Sequence, residues 1–440
     1  MKILLTVAAL DGFHGSVIHV LEWASFFRSE GHDVTVVTGI YRTEVKELFH
    51  KNNIVVSKVD DAIDLYGWSL GISYHFPIIT KLLQKGVEFQ KLIAGCLSSF
   101  ELLESPPCFW EKCNLIVTMS LEAKQRICDR YAIPFSKVVV IENGIPKHFF
   151  RSYKEETSKN IQHIGVVSNH IPCEIYELKK YLKGLAKVHF IGMHGDVCEL
   201  VTPEMLKKFD VIITIGKTVQ YCLGLGIPVY EYDHFGGNGY ITQDNFSKEK
   251  NYNFSGRPEN RKLTTEEIVT DIYNNYNDSV ACRKILYELS VNNFSFEDKL
   301  KEVVDEVFRC KTEVISFTSL KGHELQMDHD IAFANWYCHL QNIVKNNNDI
   351  IKEDRDFKGL YENLKEEYVS LANSCELLRR ENEFLLDERR RVHEKNSKKL
   401  HRKIGRYIKE IPTCFGMFNI SKVFGLISKN SKSKVNQGTK

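Results

Sequence analysis

Lys217 and Thr218 stand directly after Gly216, where a mostly β-branched run, Val211–Ile215, breaks and a helix is expected to begin. Amides at a helix start carry partial positive charge, so together with the Lys217 cation they converge on one anion, and phosphate is the natural guest. Pro228 then opens a second apolar run, Val229–Tyr232, whose carboxyl end delivers Glu231, Asp233, His234, Gly236 and Gly237. In an open parallel sheet that end is where ligands bind, so Gly216–Gly237 reads as a ligand-binding corner. Near the amino end, Gly12, Phe13, His14, Gly15 and Ser16 form a loop that opens onto another expected helix and lets backbone approach a ligand closely. His14 is a candidate to orient or deprotonate a hydroxyl, as is His75 in the Tyr74–Phe76 segment; a hydrogen-bonded structural histidine is the alternative for each.

The elements that must position these residues alternate from the first residue. Strands are expected at Ile3–Ala8, Asp33–Thr38, Asn53–Ser57, Lys91–Ala94, Leu115–Thr118 and Val138–Ile141, with helices at Ser16–Ser29 and Leu121–Tyr131. After the polar stretch Tyr153–Asn160 a second series follows, with strands at Ile161–Val167, Lys187–Ile191, Val211–Ile215 and Val229–Tyr232. Helices lie between them near Glu174–Lys183, Pro203–Lys208 and Thr218–Leu225. Thr264, Thr265, Glu266 and Glu267 form an acid-rich helix start, and helix continues to about Cys310. The expectation is an α/β protein of two Rossmann-like domains, at 1–155 and 160–310, followed by helix.

The whole chain of 440 residues is 43% hydrophobic and 26% charged, which fits an ordinary soluble protein. The first run, Met1–Leu10, reads as a strand and not a leader, because Gly12, Gly15 and an amphipathic helix continue the fold. No stretch reaches the ~18 apolar residues of a membrane span. Twelve cysteines without paired spacing point to free thiols in a reducing cytosol and to no metal site. Asp328, His329 and Asp330 spell an acid-x-acid pattern but fall outside both α/β domains, and are read as surface residues.

Beyond a helical linker at 311–355, Phe357, Leu364, Leu371, Leu378 and Leu385 recur every seven residues in the stretch 356–394, which reads as a self-associating coiled coil. The last part, 395–440, carries 12 Lys or Arg against one acid, so the net charge of +2 for the whole chain hides a basic tail. Leu400, Ile404, Ile408 and Ile411 share a helical face among those cations, which suits an anionic membrane surface better than nucleic acid.

The glycine loop with the helix and strand after it, the turn at Asn143–Pro146, the segment Ile164–Pro172 and the corner at Gly216–Gly237 together resemble the two-domain glycosyltransferases of the GT-B fold, particularly the retaining, glycosyltransferase family 4-like group rich in surface-polysaccharide enzymes. The resemblance covers roughly Met1–Cys310. It implies a nucleotide-sugar donor on the second domain and an acceptor entering from the first, with Gly15, Ser16, Asn143 and Gly144 lining the donor side. It would put Ser168, Asn169 and His170 near the donor phosphates, Gly192, Met193 and His194 near the nucleobase, and Lys217 and Thr218 on the diphosphate. The group commonly shows two glutamates with seven residues between them; matching Gly226 and Pro228 puts Ile213 and Tyr221 there, which leaves Glu231 and Asp233 to bind sugar hydroxyls.

The expected protein is therefore a cytoplasmic, metal-independent, hexosyltransferase-like enzyme without cofactor, peripheral on the cytoplasmic membrane face. It would transfer sugar to a lipid-linked or growing surface glycan and oligomerise through the coiled coil. The rival is an inactive GT-B-like scaffold or nucleotide-sugar-binding protein in polysaccharide assembly.

Overall fold

A computed structural model describes residues 1–98, 100–193, 195–309 and 313–351, the side chains of 340–351 excepted. His194, the coiled coil at 356–394 and the tail at 395–440 lie outside the described residues.

The first sheet holds β1 (Lys2–Leu10), β2 (Asp33–Tyr41), β3 (Val55–Lys58), β4 (Trp68–Ser73), β5 (Phe89–Cys96), β6 (Leu115–Thr118) and β7 (Val138–Val140), in the order β3-β2-β1-β4-β5-β6-β7. Its pairings are all parallel. Helices α1 (Gly15–Ser29), α2 (Thr43–Lys51), α3 (Phe76–Gln84) and α4 (Leu121–Tyr131) supply the crossovers. Right-handed crossovers put successive helices on opposite faces once the strand order reverses, so both faces must be apolar. They are: Leu5 and Val7 belong to one buried cluster, with Val20 and Phe27 of α1, and Leu4 to the other, with Leu82 of α3.

After the short α5 (Lys147–Phe150) comes a second sheet of β8 (His163–Val167), β9 (Lys187–Ile191), β10 (Val211–Thr214), β11 (Val229–Asp233) and β12 (Gly236–Tyr240), in the order β12-β11-β10-β8-β9. Around it lie α6 (Cys173–Tyr176), α7 (Leu178–Tyr181), α8 (Pro203–Leu206), α9 (Lys217–Leu225), α10 (Gln243–Asn251), α11 (Thr265–Ala281) and α12 (Arg283–Phe294). The Thr264 helix start is a full capping box, with Glu267 returning to the Thr264 amide.

Several expectations change. The segment Gly236–Tyr240 is an antiparallel strand on β11, where no strand was expected. The chain leaves the first domain near residue 142, not 155, because Ile145 and Phe149 are buried in the second domain's core. It also returns before 310. In α13 (Phe296–Arg309), Phe296, Leu300, Val303, Val304 and Val307 join the first sheet's core, and Ile315 bridges to Phe89 of β5. A long α14 (Glu324–Ile351) follows, with Met327 in that domain's other cluster. The acid-x-acid residues ride on α14, where Asp328 and His329 are exposed as expected but Asp330 is buried. Among the described residues no helix is long and apolar enough to cross a membrane.

Candidate active site at the meeting of two sheets

Each sheet has one point where the strand order reverses, and the loops leaving the carboxyl ends there diverge to leave a crevice. In the first sheet that point lies between β1 and β4, whose following loops carry His14 and His75. In the second it lies between β8 and β10, whose loops carry Ser168 and Lys217. The helices that spring from these loops touch: Glu22 of α1 pairs with Lys217 of α9 at 2.5 Å and also accepts from the Tyr221 hydroxyl. The carboxyl ends of the two sheets therefore face a shared junction.

On the first sheet's side, His14 caps α1 without a side-chain bond to its amides. Its ring is held from both ends, Nε2 lying 2.8 Å from Asp11 Oδ1 and Nδ1 3.1 Å from Ser16 Oγ. An aspartate on Nε2 selects the tautomer with its proton there and leaves the Nδ1 lone pair beside Ser16. Gly15 is exposed, and a Cβ there would meet only open space, so its value is access and not packing. His75 is buried, with Glu104 3.7 Å away. Burial, and then the nearby His14, push its imidazole down to about 3, so it is neutral at physiological pH.

On the second sheet's side, Ser168 donates to Asp233 at 2.8 Å and also accepts from the His170 amide. The Asn169 side chain accepts from the Met193 amide, and the His170 and His234 rings lie 5.1 Å apart. The expected donor-side residues Ser168, Asn169, His170, Gly192, Asp233 and His234 thus form one cluster at the ends of β8, β9 and β11. Gly192 has φ of +138°, and a Cβ there would lie 2.1 Å from the Ser168 carbonyl oxygen, so the loops can touch only through glycine. Gly236 and Gly237 instead serve packing: a Cβ on Gly236 would lie 2.4 Å from the Arg261 carbonyl oxygen of the 254–261 loop, and one on Gly237 1.8 Å from the Glu231 carbonyl oxygen of β11.

Lys217 and Thr218 do open a helix, with Gly216 before it at φ of +65°. Lys217 Nζ lies 3.4 Å from the Gly144 carbonyl, and Asn143 donates to Asn253 at 2.9 Å, so the Asn143–Gly144 turn seams the two domains together. Gly144 packs on Phe296 so closely that a Cβ would lie 2.1 Å from that side chain.

Glu231 departs from expectation. Fully buried, it accepts from the Gly256 amide at 2.6 Å, and burial, then Glu249, hold its carboxyl well above the usual range. It faces protein and meets no open site, because the 253–256 turn covers it. That turn holds two non-glycine residues in the left-handed region, Asn253 at φ of 55° and Phe254 at 49°, and the Phe254 carbonyl accepts from the Gly216 amide. Asp233 is the acid that sits in the Ser168–His170 cluster. Tyr221 likewise serves the junction: it is buried, stacks on Phe149 and donates to Glu22.

Sequence reasoning missed His19, Glu22, Glu122 and Arg257. His19 is buried on the same face of α1 as Glu22, with Nε2 3.2 Å from the Tyr74 hydroxyl. Burial, and then the Lys217 cation, push it well below the usual range. Arg257 pairs with Glu122 of α4 and lies over the Phe100 ring at 4.9 Å and the Phe235 ring at 5.5 Å, which ties the domains a second time. The available signal was a histidine and a glutamate three apart on the apolar face of α1. Among the described residues no group of three His, Cys, Asp or Glu side chains is arranged to hold a metal.

No family model and no curated protein matches the sequence. Among solved structures, the chain is similar to a glycosyltransferase from Rickettsia africae ESF-5, at a TM-score of 0.48 and 15% identity over 70% of this chain and 99% of that one. It is similar to Anabaena Alr3699/HepE in complex with UDP and glucose, at 0.48 and 13% over 70% of this chain and 100% of that one. A TarM variant from S. aureus in complex with fondaparinux, alpha-GlcNAc-glycerol and UDP follows at 0.46 and 10%, over 70% and 99%.

Proposed function

We propose that this protein is a glycosyltransferase of the retaining, family 4-like GT-B kind, moving a hexose from a nucleotide-sugar donor to a lipid-linked or growing surface glycan without a metal. One observation carries the reading: the carboxyl ends at both strand-order reversals face one junction, one bringing a histidine fixed by an aspartate and the other a glycine turn that starts a helix with a lysine.

In this reading the donor diphosphate lies on the amides at the start of α9, with Lys217 and Thr218, and Ser168 and His170 beside it. Asp233 meets a sugar hydroxyl. The sugar's bond to the diphosphate oxygen breaks, a bond to the acceptor oxygen forms, and the acceptor proton leaves toward His14, whose imidazolium Asp11 stabilises. The growing charge on the nucleoside diphosphate is met by fixed dipoles and the lysine, the kind of preorganised electrostatics that dominates such transfers. The heptads of 356–394 would make the enzyme an oligomer and the cations of 395–440 would hold it on the cytoplasmic membrane face.

The buried, apolar Ile213 and the covered Glu231 favour a second reading, a scaffold that binds a nucleotide sugar and does not turn it over. Incubation with a panel of nucleotide sugars separates the two. Release of nucleoside diphosphate from one of them supports the enzyme; a thermal shift without release supports the scaffold; neither response refutes both.

A further inference from the structure

Beside the start of α9, the Lys217 ammonium already holds an anion. Backbone dipoles favour negative charge at a helix N-terminus, and a lysine there sharpens the preference. The group that meets it is the chain's own Glu22, brought from the other domain to 2.5 Å from Lys217, with both side chains about nine-tenths buried at 10% and 9% exposure. Tyr221, one turn along α9, donates to the second Glu22 oxygen, so the carboxylate is gripped at two points much as a phosphate would be. Burial raises the Glu22 carboxyl, while Lys217 and then Tyr221 hold it down. His19, three residues before Glu22 on α1, is buried within electrostatic reach of Lys217 and is also reached by the Asn143 side chain. A buried ion pair between two domains is a poor source of stability, since desolvation offsets most of its attraction. It is a good source of selectivity, because whatever replaces the carboxylate must be the stronger anion.

We infer that Glu22 is a specificity-determining residue that occupies the donor's phosphate position in the empty protein and yields Lys217 only to a diphosphate. The inference rests on the proposed donor site. Lys217 passes from Glu22 to the ligand, and α1 withdraws from α9 as it does. Ligands with weaker charge, such as a nucleoside or a nucleoside monophosphate, fail to displace the carboxylate.

The test is calorimetric binding of inorganic pyrophosphate, UDP, GDP and ADP to the full chain and to Glu22→Gln, Lys217→Gln and the double variant. Glutamine keeps the shape and the tyrosine bond but loses the charge. Glu22→Gln should bind tighter by about tenfold, the factor expected if the ion-paired state holds about nine-tenths of the empty protein. The double variant should show none of that gain. Equal or weaker binding by a folded Glu22→Gln overturns the inference while leaving the donor site in place. Absence of binding to the unmodified chain by every probe overturns the donor site and the inference with it. Should Glu22→Gln fail to fold, hydrogen exchange on the native chain decides. Saturating pyrophosphate should speed exchange of the α1 amides around Glu22, and unchanged exchange with ligand bound overturns the inference.

Discussion

At the scale of single residues, the ring of His14 is fixed at both nitrogens by groups within two or three positions of it, and this local bracing is what a proton-transfer role requires. His14→Asn should lower kcat by about 10²–10⁴-fold, the usual worth of a positioned base, with donor affinity nearly unchanged. An equal loss in donor binding would move His14 from the acceptor to the donor. Glu231 makes a claim of a different kind. Its folded pKa lies well above the ordinary 4.5, so the folded chain holds that proton more tightly than the unfolded chain does. Stability contributed by the proton is full below the unfolded pKa and is lost as pH rises toward the folded one. Glu231→Gln mimics the protonated acid and keeps an acceptor for the Gly256 amide, so it should flatten the fall of Tm as pH rises above the ordinary carboxylate range. An identical slope in both proteins would show that Glu231 does not control it.

At the scale of elements, glycine decides which loops can approach. Gly192 ends β9 at a φ that side chains rarely adopt, under the Ser168 carbonyl, and no rotamer change relieves a Cβ 2.1 Å from backbone. Gly192→Ala should cost about 1–3 kcal/mol in denaturant unfolding and displace the Ser168–His170 turn, abolishing nucleotide binding. A stable variant that still binds would place the donor elsewhere. The 253–256 turn works in the same way from the other side: its left-handed Phe254 supplies the acceptor that sets the Gly216 amide, and Glu231 holds it from beneath. Most of the elements were legible, because periodicity and punctuation are local. Leu115–Thr118, Leu121–Tyr131 and Lys187–Ile191 fall at their expected bounds. Trp68–Ser73 escaped notice because its glycine and two serines blunt the strand signal, although four of its residues pair with β1 at the centre of the sheet. The strand at Gly236–Tyr240 was hidden by its three glycines, which read as loop until β11 is there to pair with.

At the scale of the whole molecule, the compact unit Met1–Cys338 contains both sheets, joined by Glu22–Lys217 on one side and Glu122–Arg257 on another. Arg257→Ala should lower kcat several-fold with little change in donor affinity, because it loosens the domains without touching the anion site; a matching loss of affinity would put Arg257 on the donor. The basic segment 395–440 is proposed as a membrane anchor from its charge alone. Each cation contributes roughly 1 kcal/mol near an anionic surface, so several must act together and salt must weaken them. Deleting 395–440 should free the protein from anionic liposomes while nucleotide binding persists, and undiminished sedimentation with those liposomes would refute the anchor. The sequence by itself determined two alternating α/β series, the glycine turn that starts α9 and the loop that carries His14, since each follows from the order of neighbouring residues. Only the tertiary structure decided that Phe296–Arg309 returns to the first domain, that Glu231 is covered and that Glu22 reaches Lys217. Those facts depend on contacts between residues up to about 270 positions apart, which no local pattern encodes and which exist only once both sheets have packed.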